Sequence, residues 1–333
     1  TANSTQLESM LGLPSFALAV AGRGDQLLDG GRHFPWSNLI VAALPDHSVY
    51  HTTSTLTAAV DALTRSCNGA LYNEPGISLS VSNETRVLRL RSEGGQPVKN
   101  RMLITFGIHG REYITSEASL AFLRQLCDGS DRSTKVLDHT EFIVVPVANV
   151  AGRKKMGSAL DGAQVTCASM RKNGDEVDLN RNFDVDWESG STNADDEDYR
   201  GPSPASEPEV KLIMGVAAQF DPHVYIDVHS GDTTMMYPYS YVAKDAANAN
   251  DQASMAVYAA KKAFGESCEA GAETKAGCPK IGNAAVSLDP PYIASGTSLD
   301  YMYIKQKVPY AFTWEIFKGS MGGSAAITEI SSP

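Results

Sequence analysis

Residues 102–127 read MLITFGIHGREYITSEASLAFLRQLC. Met102 to Phe106 is a short apolar run of strand character, Gly107 to Gly110 is a glycine-bracketed turn, and Ser116 to Cys127 carries its apolar residues at helical spacing. A strand that feeds through a tight turn into a helix is the building unit of an α/β sheet. The pattern recurs along the chain. Phe142 to Val147 is a nearly continuous apolar run, as expected of a strand buried on both faces, and Val224 to Val228 and Tyr310 to Phe317 are two more. Thr53 to Cys67 reads as a helix with Leu56, Val60, Leu63 and Leu71 on one face, and Ile77 to Leu90 as two short antiparallel strands. Ser206-Glu207-Pro208-Glu209 is a helix start, with Ser206 as N-cap, running on through Val210, Ile213, Met214 and Ala217. The expected fold is a single α/β domain with a mixed, mainly parallel central sheet and helices on both faces.

Composition narrows the function. The 333 residues include 28 Lys+Arg against 39 Asp+Glu, a net charge of -11. Phosphate neutralisation drives sequence-independent nucleic-acid binding, so a nucleic-acid partner is not expected. No apolar run approaches the roughly 20 residues of a membrane helix; the best, Leu13 to Ala21, is interrupted by Pro14 and Ser15. Residues 1–45 lack sustained periodicity and read as an N-terminal extension or pro-segment remnant, leaving 46–333 as the folded domain. Of five cysteines, none form a CxxC, which argues against a thiolate zinc knuckle. Cys268 and Cys278 are spaced to close a short loop or to remain free thiols, and Cys127, ending an apolar helix, reads as a buried thiol.

In open α/β sheets the active site lies beyond the carboxyl ends of the strands. The polar residues found there are His109, Arg111 and Glu112 after the first strand, Asn149 after the second, His229 and Ser230 after the third, and Glu315 near the end of the last. His109, Glu112 and His229 make a two-imidazole, one-carboxylate set, which suits a catalytic zinc ion that keeps one position open for water.

With these residues placed, the sequence resembles the zinc metallocarboxypeptidases of the carboxypeptidase A class. The matching pieces run in order: GIHGREY with His109 and Glu112, MRKNGDEVDLNRNFD with Arg171, Asp178, Asn180 and Arg181, YRGPSPASEPE opening a helix, DVHSGD with His229, YIASGTSLDYMY with Tyr292 and Leu299, and FTWEIF with Glu315. The resemblance covers about residues 49–318. It implies one zinc ion on His109, Glu112 and His229, and Glu315 as general base and acid. It further implies Arg171 as oxyanion stabiliser, and Asn180 and Arg181 as the grip on a peptide's terminal carboxylate. Tyr292 resembles the family's mobile tyrosine, and Asp178 the carboxylate that orients His109. Arg111 is expected to contact the peptide further upstream.

Leu299 aligns with the base of the pocket for the C-terminal side chain, with Ala294 and Thr313 beside it, implying apolar or aromatic terminal residues; a shift in register would make Leu299 plain core. The implied partners are peptide or protein C-termini, met by a monomer in a secreted or extracellular setting. Arg171 lies nine residues before Asn180, the short spacing of regulatory and plant-type members. Gly231 stands where digestive members carry Tyr, and only 18 residues follow Glu315, fewer than the family's closing helix needs, so the expectation is a C-terminus either truncated or differently built. Two other readings stay open: a related zinc hydrolase acting on a modified amino acid or on glutamate-rich tails, and a non-catalytic peptide-binding module.

Overall fold

A computed structural model describes residues 50–67, 71–73, 81–92, 98–159, 167–264, 268–270, 278–288 and 290–317. The proposed N-terminal extension and the final segment after residue 317 lie outside these. Among the described residues, eight strands form one sheet in the order β1-β2-β4-β3-β5-β8-β6-β7. They are β1 (Leu71–Asn73), β2 (Leu88–Leu90), β3 (Asn100–Phe106), β4 (Thr140–Val145), β5 (Val224–His229), β6 (Thr233–Tyr237), β7 (Lys280–Asn283) and β8 (Tyr310–Ile316). The four central strands β4, β3, β5 and β8 are parallel; β2 and β6 join them antiparallel from either side. The sheet is therefore mixed and mainly parallel at its centre.

Strand alternation builds two cores. Met102, Ile104, Phe106, Val224, Ile226, Val228, Phe312 and Trp314 face one apolar cluster. That cluster is covered by α1 (Thr53–Ser66), α2 (Tyr113–Leu126), α3 (Asp131–His139) and α7 (Ala249–Phe264). Leu103, Tyr225 and Ala311 face the other, under α6 (Pro208–Phe220) and α9 (Ser298–Ile304). The remaining helices are α4 (Val150–Ala159), α5 (Cys167–Arg171) and α8 (Ala284–Ser287). Because side chains alternate with period two, Asp227 and His229 share the face of Tyr225, and Thr313 and Glu315 share the face of Ala311. On the α6/α9 face the central strands are thus polar at their carboxyl ends, at Thr105, Asp227, His229, Thr313 and Glu315.

Several expectations are corrected. Helix α1 ends at Ser66, so Leu71 belongs to β1 rather than to the helix face. The two antiparallel strands are 71–73 and 88–90; residues 74–80, where the first was expected, lie outside the described set. The cap of α6 is Glu207, with Pro208 at the first turn, because Ser206 Oγ instead donates to Glu207 Oε1 at 2.6 Å. Cys127 is not a thiol: it is bonded to Cys67, tying the end of α1 to the end of α2. Cys268 and Cys278 form the second disulfide, resolving the two options their spacing left open.

Candidate metal centre

The turn after β3 that carries His109 passes very close to α4. A Cβ on Gly110 would overlap the backbone of Gly152, so neither position has room for a side chain. From this turn, His109 Nδ1 lies 2.6 Å from Glu112 Oε1. Across the sheet, at the end of β5, His229 Nδ1 lies 3.2 Å from Glu112 Oε2 and 3.2 Å from His109 Nδ1. All three side chains are buried, and their ligand atoms lie within 4.8 Å of one another. Two neutral-capable imidazoles and one carboxylate converging in this way match the donors a catalytic zinc ion takes.

The outward-facing nitrogens are held by carboxylates. His109 Nε2 meets Asp178 Oδ1 at 3.2 Å, and His229 Nε2 meets Asp227 Oδ2 at 3.1 Å. Both bonds leave Nδ1 to face the centre and fix each ring's orientation. Asp227 is in turn anchored: Thr105 Oγ1 donates to its Oδ1 and Ser298 Oγ to its Oδ2, each at 2.7 Å. Asp178 accepts Arg171 Nε at 2.8 Å and caps the short 3-10 turn Leu179–Arg181.

The electrostatics are those of a cation site. Burial alone would raise Asp178, but Arg171 and His109 hold it well below the usual carboxylate range. Burial also opposes the charge on Glu112, and His109 and His229 overcome it. Burial disfavours positive charge on His229, yet Asp227 and Glu112 carry its pKa well above the ordinary value. The same anionic surroundings favour a metal ion.

Beside the centre stands Glu315, half-buried on β8 directly across from His229. Gly231 flanks it: a Cβ there would lie 3.7 Å from Glu315 Oε2. Asn180 Nδ2 lies 3.2 Å from His229 Nε2, and Asn180 Oδ1 accepts Ser298 N at 2.8 Å. Arg181 Nη1 donates to Asn180 O at 2.7 Å, and its Nη2 lies 3.5 Å from the Tyr292 hydroxyl. The turn at Gly296 is packed so tightly on Arg181 that a Cβ would overlap its carbonyl, and its positive φ of 63° also favours glycine. Leu299 is fully buried in the apolar cluster under α9. Arg111 donates Nη1 to Glu197 Oε2 at 3.0 Å.

Sequence reasoning missed Asp227, Ser298 and Thr105. Asp227 was findable: it lies two residues before His229 on a strand, hence on the same face. It also missed what residues 188–198 do. That stretch is acidic and mostly exposed, but Glu197 reaches Arg111 and Asp198 reaches Tyr292.

Comparison with known proteins agrees with this geometry. The family described as zinc carboxypeptidase matches residues 77–323. Human carboxypeptidase A6 is 29% identical over 290 residues, covering 81% of this chain and 61% of its own. The inactive metallocarboxypeptidase ECM14 of Saccharomyces cerevisiae is 28% identical over 225 residues, covering 62% of this chain and 49% of its own. The structure of bovine thrombin-activatable fibrinolysis inhibitor, in complex with tick carboxypeptidase inhibitor, matches with a TM-score of 0.66 at 25% identity, covering 86% of this chain and 93% of that one. This chain spans less than two thirds of the length of these curated relatives. The chain belongs to the zinc carboxypeptidase family, whose cofactor is a single zinc ion.

Proposed function

We propose that the protein is a zinc-dependent exopeptidase that hydrolyses the C-terminal peptide bond of peptides and prefers apolar or aromatic terminal residues. One observation carries this reading: three metal-donor side chains converge within 4.8 Å, with Glu315 across from His229 on the next strand. His109, Glu112 and His229 hold the zinc, which supplies Lewis-acid chemistry that acidifies water and polarises a carbonyl. Glu315 takes the proton of the attacking water and delivers it to the leaving amine. Arg171 stays charged beside Asp178 and faces the oxygen on which negative charge develops. Arg181, with Asn180, receives the terminal carboxylate, and Tyr292 closes over it. Asp178 and Asp227 orient the two histidines. Arg111, tied to Glu197, borders the upstream side of the peptide. Leu299 offers the terminal side chain an apolar wall with no charge to favour Lys, Arg or Glu. The two disulfides support an oxidising, extracellular setting.

A second reading, a non-catalytic peptide-binding module, draws on the yeast relative whose name calls it inactive. One assay separates the two. N-blocked dipeptides ending in Phe, Leu, Lys or Glu are incubated with the enzyme, each with an amidated control and after chelation and zinc re-addition. The expected result is zinc-dependent cleavage of the Phe and Leu substrates, with amides inert. Cleavage of Lys or Glu ends alone would keep the exopeptidase and discard the role of Leu299. No cleavage by the zinc-loaded protein would favour the binding module.

A further inference from the structure

The Tyr292 ring is 42% exposed and its neighbour Ile293 52%, so packing does little to place them. Polar contacts place the phenol instead. Its hydroxyl donates to Asp198 Oδ2 at 3.0 Å, and its oxygen lies 3.5 Å from Arg181 Nη2. The Arg181 guanidinium also sits 5.6 Å from the ring centroid. A phenol has one proton to give. Here that proton goes to Asp198, while the phenol oxygen faces a donor of Arg181.

Asp198 is not on a loose tip. Buried Lys172, the residue after Arg171, donates Nζ to the carbonyls of Ala194 at 2.7 Å and Asp196 at 2.8 Å. Ser191 Oγ and Asn193 Nδ2 both donate to the Asp196 carboxylate. Glu197 is paired with Arg111, and the Tyr199 carbonyl accepts Asp178 N at 2.9 Å. The residues on both sides of Asp198 are thus fastened to the site, and its carboxylate is presented at a fixed place.

We propose that Asp198 is a positioning residue that holds the Tyr292 phenol across Arg181, and that the terminal carboxylate of an incoming peptide must displace it. This rests on the reading of Arg181 as the carboxylate anchor. Both groups assigned to the substrate's carboxylate, the Tyr292 hydroxyl and Arg181 Nη2, are engaged within the protein by one latch. Substrate binding therefore exchanges one carboxylate for another at the phenol.

The test pairs two readouts. Asp198→Ala should lower KM for an N-blocked dipeptide ending in Phe by about three- to tenfold, the worth of one partly exposed charge-assisted hydrogen bond. It should move kcat less than KM, and Asp198→Asn, which keeps an acceptor, should fall between. In a Tyr292→Phe background the Asp198→Ala change should have no effect on KM. Independently of turnover, nitration of Tyr292 by tetranitromethane, followed by peptide mass spectrometry, should rise several-fold in Asp198→Ala. An unchanged nitration rate would overturn the latch. So would an unchanged or raised KM in an enzyme that cleaves the peptide, or an equal KM effect without the Tyr292 hydroxyl. Failure of the wild-type enzyme to cleave any peptide, with nitration responding as expected, would instead reject the exopeptidase reading and leave the latch standing.

Discussion

His229 and Glu315 are register partners at the carboxyl ends of the adjacent parallel strands β5 and β8, and both side chains project from the same face of the sheet. Parallel pairing sets Glu315 beside the metal donors without making it one of them. Glu315→Gln keeps the volume and removes the proposed base. It should retain zinc and lose about 10²- to 10⁴-fold in kcat. Metal analysis of the purified variant alongside turnover checks this; loss of zinc from a folded variant would mean that Glu315 is itself a ligand.

Asp227 holds His229 Nε2 and is itself held by Thr105 and Ser298. Asp227→Ala frees the ring to rotate and lowers its basicity. Zinc affinity should fall about 10- to 100-fold, measured by competition with a chelator. Affinity equal to the wild type would show that β5 alone orients the imidazole.

Arg181 is buried, and its guanidinium is fixed by the Asn180 carbonyl. Arg181→Ala should raise KM for peptides with a free terminal carboxylate by one to two orders of magnitude, roughly the 1.5–3 kcal/mol of a charge-assisted hydrogen bond. Steady-state kinetics on the Phe-terminal dipeptide decide it, and an unaltered KM would place the anchor elsewhere.

The Cys67–Cys127 disulfide spans 60 residues and Cys268–Cys278 only 10. On the chain-entropy account the longer loop contributes about 4 kcal/mol and the shorter about 3 kcal/mol. Replacing Cys67 and Cys127 by Ala should therefore lower stability in urea more than replacing the other pair. The opposite order would show that local packing, not loop length, sets the difference.

Burial pushes Asp300 up to about 7, although the backbone N–H groups of Ser240 and Tyr241 pull it down. An unfolded aspartate titrates near pH 4. Between about pH 4 and 7 the folded chain keeps a proton that the unfolded chain has lost. The contribution of the neutral acid is thus full below about pH 4 and is lost as pH rises through about 7, at about 1.4 kcal/mol per unit. Asp300→Asn cannot ionise. Its stability deficit relative to wild type should shrink from pH 4.5 to 8 in urea titrations. Parallel pH curves for the two proteins would refute the shift.

Much of the fold was legible because its central strands are written as apolar runs of the right length, and because glycine turns mark where they end. Phe142 to Val147 and Val224 to Val228 lie within two residues of the observed β4 and β5. The misreadings share a cause. Leu71 matched a helical period that the chain had already left, and Cys127 looked like a core thiol because its partner lies 60 residues away. Ser206 carried a good local cap signature, but Asn182 and Glu207 claimed its hydroxyl. Local pattern cannot register a competitor that arrives from elsewhere in the chain.

The same division holds at the site. Residue type and order along the chain determined which side chains can bind a metal, move a proton or grip a carboxylate, because that capacity belongs to the side chain itself. The strand ends told where His109, His229 and Glu315 would gather. Only tertiary structure decided that Asp227 holds His229, that the loop at 191–198 clasps Arg111 and Tyr292, and that Glu315 stands across from His229. Those are relations between residues far apart in sequence, set by strand register and by which buried polar groups find each other, and a hydrogen bond depends on a few tenths of an ångström that no spacing rule contains.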